Sequence, residues 1–279
     1  MKIRNGFVSN SSSSSFVVAF PSEPKNYDNV FEMMFHGKEG GISIYDTEGM
    51  SHSQIADRVW RDIENGTDDK YYGYSKTIPA KKDDIIEEFS GRYYYSPADS
   101  NMSWFGQKGD ELGGSWMEPI DKYCGNDKTS MDELRNFTIS SNTKEKELYQ
   151  KMNDIIKNEF KLKQPKFAYK NGKDRKTGDP YTDEEIKTYD DYLAALLKFR
   201  NEHEEYKAVR DEELSTSQNK WKEKERLARQ IAKVDAEVFL EDNKEAYIVI
   251  LSYADDGGEC TLEHGDIFRN VPHIQISHH

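Results

Sequence analysis

The chain has 279 residues, of which 39 are basic and 52 acidic, giving a formal net charge of −13. No run approaches the ~18 consecutive apolar residues of a transmembrane helix, and two cysteines are too few for a disulfide framework or a cysteine-based zinc site. Aromatic residues make up 12% of the chain, which argues against wholesale disorder, and the N-terminus lacks the apolar stretch of a secretory signal.

The first 90 residues predict alternating short strands and helices. Residues 2–8 are compatible with an extended chain, 9–15 are polar, and the FVVAF run over 16–20 has the pattern of a buried strand. The other elements predicted here are a helix over 28–35, a strand over 41–45, a helix to Asn65 with Ser51 as its N-cap and Ile55, Val59 and Ile63 buried, and a helix after Pro79 with Ile85, Ile86 and Phe89 buried.

Residues 90–125 are rich in glycine and aromatic residues and show no clear period. One interpretation is a set of short strands and turns whose Tyr and Trp side chains cap the core. The other is a recognition surface, because aromatic side chains supply much of the energy at protein interfaces.

The middle of the chain predicts long charged helices. Residues 141–243 hold 22 basic and 23 acidic groups, a balance typical of solvated helices. Apolar stripes predict a helix over 143–162, another after Thr182, where Glu185 completes a capping box, and a third ending near Glu241, with a break at 215–217. These narrow stripes favour a helical hairpin or arm.

The C-terminal segment returns to β structure. Strands are predicted over 246–253, 260–268 and 273–279, with a turn at 255–258. The fold class expected is therefore α+β: a small, mostly antiparallel sheet built from both chain ends, with a long charged helical insertion. In this division 1–140 and 244–279 form the body, and 141–243 the insertion.

Four of the seven histidines lie in the last 16 residues. In an extended segment His264 and Asp266 share a face, and pairing with the last strand brings His273 near, with His279 as a fourth ligand. Such a set suits Zn, Mn, Fe or Ni and leaves room for a reactive water. The alternative is an incidental cluster of turn and terminal residues. The candidate catalytic carboxylates are Asp256, Glu259 and Asp266, and Asp255 is a further possible base.

The serine-rich segment offers a second candidate site. Small residues after a strand can present N–H groups and hydroxyls to a phosphate, which makes Asn10, Ser11, Ser12, Ser13 and Ser14 candidate anion-binding residues. The segment lacks the Gly and Lys of a P-loop, and polyserine is also typical of a flexible linker.

The two chain ends carry a family resemblance. KIRNGFVSNSSSSSFVV over 2–18 and EHGDIFRNVPHIQISHH over 263–279 resemble a group of largely uncharacterised bacteriophage and prophage proteins sharing an N-terminal KxRxGFVSNSSSSSF motif. The resemblance covers only the ends. It implies a phage protein acting in the host bacterial cytoplasm, or one associated with the virion, and it brings no defined activity.

Two functions follow as hypotheses. The favoured one is a phage accessory or virion-associated interaction protein that binds a host or phage protein through the helical insertion and the aromatic segment. The other is a metal-dependent hydrolase or transferase acting on a nucleotide or phosphorylated substrate through the two candidate sites. Duplex nucleic acid and membranes are not expected partners, because the surface is acidic and the helices carry matched charges.

Overall fold

The computed structural model describes residues 13–44, 48–65, 79–94, 105–106, 115–116, 122–165, 181–254 and 260–277. The chain divides into two compact units, which we call the sheet unit (Met1–Asn136 with Glu223–His279) and the helical unit (Phe137–Lys222). An antiparallel sheet built from both chain ends accompanies a long helical region. The predicted α+β class is thereby confirmed.

The main sheet has three strands with the N-terminal one in the centre. Strand β1 (Ser13–Phe20) lies between β6 (Tyr247–Ala254) and β7 (His273–Ser277) and is antiparallel to both. In this register Val17 is opposite Ile250 and Ile274. The sequence predicted all three strands, but it placed Ser13–Ser15 in a polar loop, whereas these serines belong to β1.

One face of this sheet is covered by α1 (Tyr27–Phe35) and α2 (His52–Asn65). Ser51 and Gln54 form a reciprocal cap at the start of α2: Ser51 Oγ accepts from the Gln54 N–H at 3.1 Å, and Gln54 Oε1 accepts from the Ser51 N–H at 2.8 Å. The predicted cap is therefore confirmed, and so is the buried stripe of Ile55, Val59 and Ile63.

Strands β2 (Gly41–Ile44) and β3 (Glu48–Ser51) form a separate antiparallel pair. The sequence predicted β2 but not β3.

The predicted return strand over 260–268 is wrong. Residues Cys260–His264 form a short helix instead, and residues 267–270 form a turn.

The other face of the sheet is covered by two helices, α3 (Lys82–Tyr94) and the C-terminal part of α6 (Glu204–Asp242). Ala232, Ala236 and Phe239 of α6 pack with Ile85, Ile86 and Phe89 of α3 against Val17 and Ala19. Because both faces are covered, the strands read as continuous apolar runs. Residues 223–242 of α6 therefore belong to the sheet unit.

The other described elements are two short strands and three helices. They are β4 (Phe105–Gly106) paired with β5 (Ser115–Trp116), α4 (Lys128–Glu159), α5 (Asp183–Glu202) and α7 (Cys260–His264). Asp127 caps α4: its carboxylate accepts from the Ser130 N–H at 3.1 Å and the Ser130 hydroxyl at 2.7 Å. Within the described ranges, none of the helices is both long and apolar enough to span a membrane.

The helical unit has its own small core, formed by Leu148, Met152, Ile155, Tyr206 and Val209. The Thr182–Glu185 capping box predicted for α5 is present. The predicted break at 215–217 is wrong, since α6 is continuous there and the chain turns instead at His203.

His203 fixes this turn through both ring nitrogens. Its Nδ1 accepts from the Tyr206 N–H at 3.1 Å, so the proton sits on Nε2, which donates to Glu159 Oε2 at 2.7 Å. The imidazole thus caps the start of α6 and ties it to the end of α4.

Candidate functional site

Of the predicted metal ligands that the structure describes, Asp266 and His273 form a pair, whereas His264 pairs with Glu263, which was not predicted. His264 Nε2 lies 3.6 Å from Glu263 Oε2, and His273 Nε2 lies 3.6 Å from Asp266 Oδ1. The alternation that placed His264 and Asp266 on one face of a strand is wrong, because His264 ends a helix. In the part of the chain that the structure describes, no group of three or more His, Cys, Asp or Glu side chains is arranged to hold a metal ion.

The HGD segment is a tight helix end. A Cβ on Gly265 would lie 2.3 Å from the Thr261 carbonyl oxygen, so a larger residue would displace the backbone. The Gly265 N–H donates to that same oxygen at 3.0 Å. Asp266 follows with φ of 47°, a left-handed conformation that Asp tolerates better than most residues. The geometry of this helix end therefore explains why Gly265 and Asp266 follow His264.

The two chain ends meet at a buried carboxyl group. The Ser14 hydroxyl donates to Glu263 Oε1 at 3.2 Å, and Gln275 Nε2 donates to Ser14 Oγ at 3.2 Å and to the Glu263 carbonyl at 2.8 Å. Glu263 is 0% exposed and Ser14 is 1% exposed. Next to them Ser15 and Ser252 share a hydroxyl–hydroxyl bond at 3.0 Å.

This Ser14–Glu263–Gln275 cluster links the central strand to α7 and β7. The Ser14 hydroxyl, a predicted anion-binding group, donates its proton to the Glu263 carboxyl group inside the protein. Sequence reasoning did not single out Glu263 or Gln275, and a five-residue helix carries no periodic signal that could have found Glu263. The calls on Asn10, Ser11, Ser12, Asp256, Glu259 and His279 fall outside the described residues.

A second buried carboxylate lies on α6. Asp235 is 0% exposed and accepts hydrogen bonds from the Tyr93 hydroxyl, the Gly125 N–H at 3.0 Å, the Asn126 N–H at 2.9 Å and Asn126 Nδ2 at 2.8 Å. Burial raises the pKa of the Asp235 carboxyl, although the hydrogen bonds from Tyr93 and Asn126 act in the opposite direction. Burial likewise raises the pKa of the Tyr93 hydroxyl well above its usual value.

Asp235 thus anchors residues 125–126 to α6. The part of the aromatic segment that reaches it is buried: Tyr93 is 1% and Cys124 4% exposed. Most of that segment lies outside the described residues, so its interpretation as a recognition surface stays a prediction.

Large apolar side chains are exposed in one unit of the protein. Among the described residues, every large apolar side chain that is exposed to solvent lies in the helical unit. These side chains are Tyr149, Leu162, Leu193, Leu197, Leu214 and Trp221. Leu193 and Trp221 are 42% and 47% exposed.

Comparisons of the chain with protein-family models, with curated proteins and with solved structures find no match.

Proposed function

We propose that the protein is a phage-encoded interaction protein that binds a host or phage protein through its helical unit. The observation that carries the proposal is the location of the exposed apolar side chains described above. The sheet unit buries its apolar residues on both faces of the sheet, whereas the helical unit leaves several in solvent. Large apolar side chains left exposed in one part of a protein are typical of protein contact surfaces.

The binding surface proposed for the partner is the face of α6 that holds Leu214 and Trp221. They are seven residues apart, which puts them on the same side of the helix, and they are 50% and 47% exposed. Trp is among the residues that contribute most to interface energy when truncated. The partner is therefore expected to offer an apolar pocket that accepts an indole ring.

The proposed site of action is the host cytoplasm or the virion, which rests on the resemblance of the chain ends to phage proteins. The Ser14–Glu263–Gln275 cluster supports a structural role for those ends, because it holds β1, α7 and β7 together. The partner-specific contacts would then lie away from the ends.

The experiment is affinity capture from infected bacteria with the full chain and point variants. Deleting 141–243 is a poor test, since it would remove Asp235 and Phe239 from the sheet unit. We expect Trp221→Ala with Leu214→Ala to reduce capture of the partner at least about tenfold, a loss of about 1.4 kcal/mol or more. Asn219→Ala, an exposed change on the opposite side of α6, is the matched control.

Unchanged capture by the Trp221→Ala and Leu214→Ala variant would refute this surface. Loss of capture in His264→Ala with unchanged helicity would instead move the binding site to the C-terminal end of the chain.

A further inference from the structure

A second exposed apolar stripe lies on helix α5, apart from the partner surface proposed on α6. The helix has 20 residues, none of them buried, and its start is secured by the Thr182–Glu185 box. Its inner side contacts the residue that follows α4: the Tyr192 and Phe199 rings lie 5.7 and 5.3 Å from the ring of Phe160. Its outer side exposes Leu193 and Leu197, the latter 60%.

Four residues on this outer side follow a coiled-coil spacing. Asp190, Leu193, Leu197 and Arg200 recur at intervals of three, four and three residues, and all four are exposed. That spacing is the seam through which one helix packs against another. We call these four residues the α5 seam.

The charges of the seam are complementary to its own reversed copy. Asp190 and Arg200 flank the two leucines at equal distances, five residues on either side of Ala195. The wider helix has the same polarity: 183–192 hold five acidic groups and one basic, whereas 193–202 hold two basic groups and one acidic. A parallel copy would place Asp190 against Asp190, and an antiparallel copy places Asp190 against Arg200.

We infer that the α5 seam binds the same seam of a second copy of the chain, antiparallel and related by a two-fold axis near Ala195. Leu193 then packs on Leu197 of the second copy, and an ion pair closes each end, as a self-complementary two-fold interface requires.

The seam is smaller than a standard interface, so the dimer should be weak and dependent on concentration. Sedimentation velocity of the full chain over about a hundredfold range of concentration should show a monomer–dimer equilibrium. Leu193→Glu with Leu197→Glu should weaken the dimer at least about tenfold. Circular dichroism checks that this double variant keeps its helices.

Charge reversal tests the pairing itself. Asp190→Arg or Arg200→Asp alone should weaken the dimer, and the two together should restore it. Orientation is tested by disulfide formation: a mixture of Leu193→Cys and Leu197→Cys chains should cross-link 193 to 197, whereas Leu193→Cys alone should not cross-link to itself through α5.

A wild-type chain that stays monomeric throughout, or a dimer that the two Glu substitutions do not affect, would overturn the inference. Cross-linking of Leu193→Cys to itself would overturn the antiparallel arrangement. Leu214→Ala with Trp221→Ala should leave the dimer intact, so this inference and the proposed partner surface can fail separately.

Discussion

Removing the Asp235 carboxylate should destabilise the sheet unit strongly. In Asp235→Ala the buried Tyr93 hydroxyl and the Asn126 N–H lose their carboxylate acceptor. The Gly125 N–H keeps the Tyr93 hydroxyl oxygen as acceptor at 2.7 Å, and Asn126 Nδ2 keeps the Lys122 carbonyl at 3.0 Å. The packing of Tyr123 on Phe239 still holds this loop against α6, so we expect the loop to be loosened rather than released.

The magnitude follows from the buried donors. Each buried donor left without an acceptor costs about 1–3 kcal/mol, and water entering the space that Ala leaves would recover part of this. Counting the Tyr93 hydroxyl and the Asn126 N–H, we expect a loss of about 2–4 kcal/mol in the free energy of unfolding.

The assay is urea unfolding followed by far-UV circular dichroism at pH 7, with Glu237→Ala as the matched control. Glu237 lies two residues further along α6 and forms an exposed ion pair with Lys82 at 2.8 Å, so its removal should cost less than about 1 kcal/mol. A loss below about 1 kcal/mol for Asp235→Ala, equal to that of the control, would refute the reasoning.

The pH dependence has a definite sign. Burial raises the pKa of Asp235 in the folded state above its ordinary 3.8, so the folded protein holds this proton more tightly than the unfolded chain. The contribution of this proton to the free energy of unfolding is then fully present below pH 3.8 and is lost as pH rises through the folded pKa. The hydrogen bonds that Asp235 accepts are a separate contribution. The free energy of unfolding of the wild type, relative to Asp235→Asn, should therefore decrease across that window.

Two further predictions concern single side chains. Asp127→Ala should lower the free energy of unfolding by about 1 kcal/mol through loss of the α4 cap. Because hydrogen bonds from Ser130 lower the pKa of Asp127, this difference from wild type in urea unfolding should be present at neutral pH and disappear as pH falls through that lowered pKa. Glu263→Ala should cost about 2–4 kcal/mol, and Glu263→Gln clearly less because an amide oxygen can still accept from Ser14; equal unfolding midpoints for the two variants would contradict this.

The sequence predicted those elements whose signals are local. Thr182 with Glu185, Ser51 before an apolar stripe, and the FVVAF run each combine a boundary residue with a regular period, and the structure contains all three. The meeting of the two chain ends in one sheet also followed from the predicted strands.

Other features depended on tertiary contacts. Ser215–Ser217 did not end α6, because the helix propensity of Ser and Thr is lower than that of Ala by only a few tenths of a kcal/mol each, too little to break a helix supported on both sides. Asp235 was missed although it interrupts an apolar stripe between Ile231 and Phe239. Its partners lie more than a hundred residues away, so only the folded chain identifies it as a buried anchor.

The most direct test of the account is site-specific photo-cross-linking in infected bacteria, with a photoreactive residue placed at Trp221 in one variant and at His264 in another. The account predicts a cross-link from position 221 to one defined host or phage protein and none to that protein from position 264. A cross-link from position 264 alone would contradict it and place the functional surface at the joined chain ends.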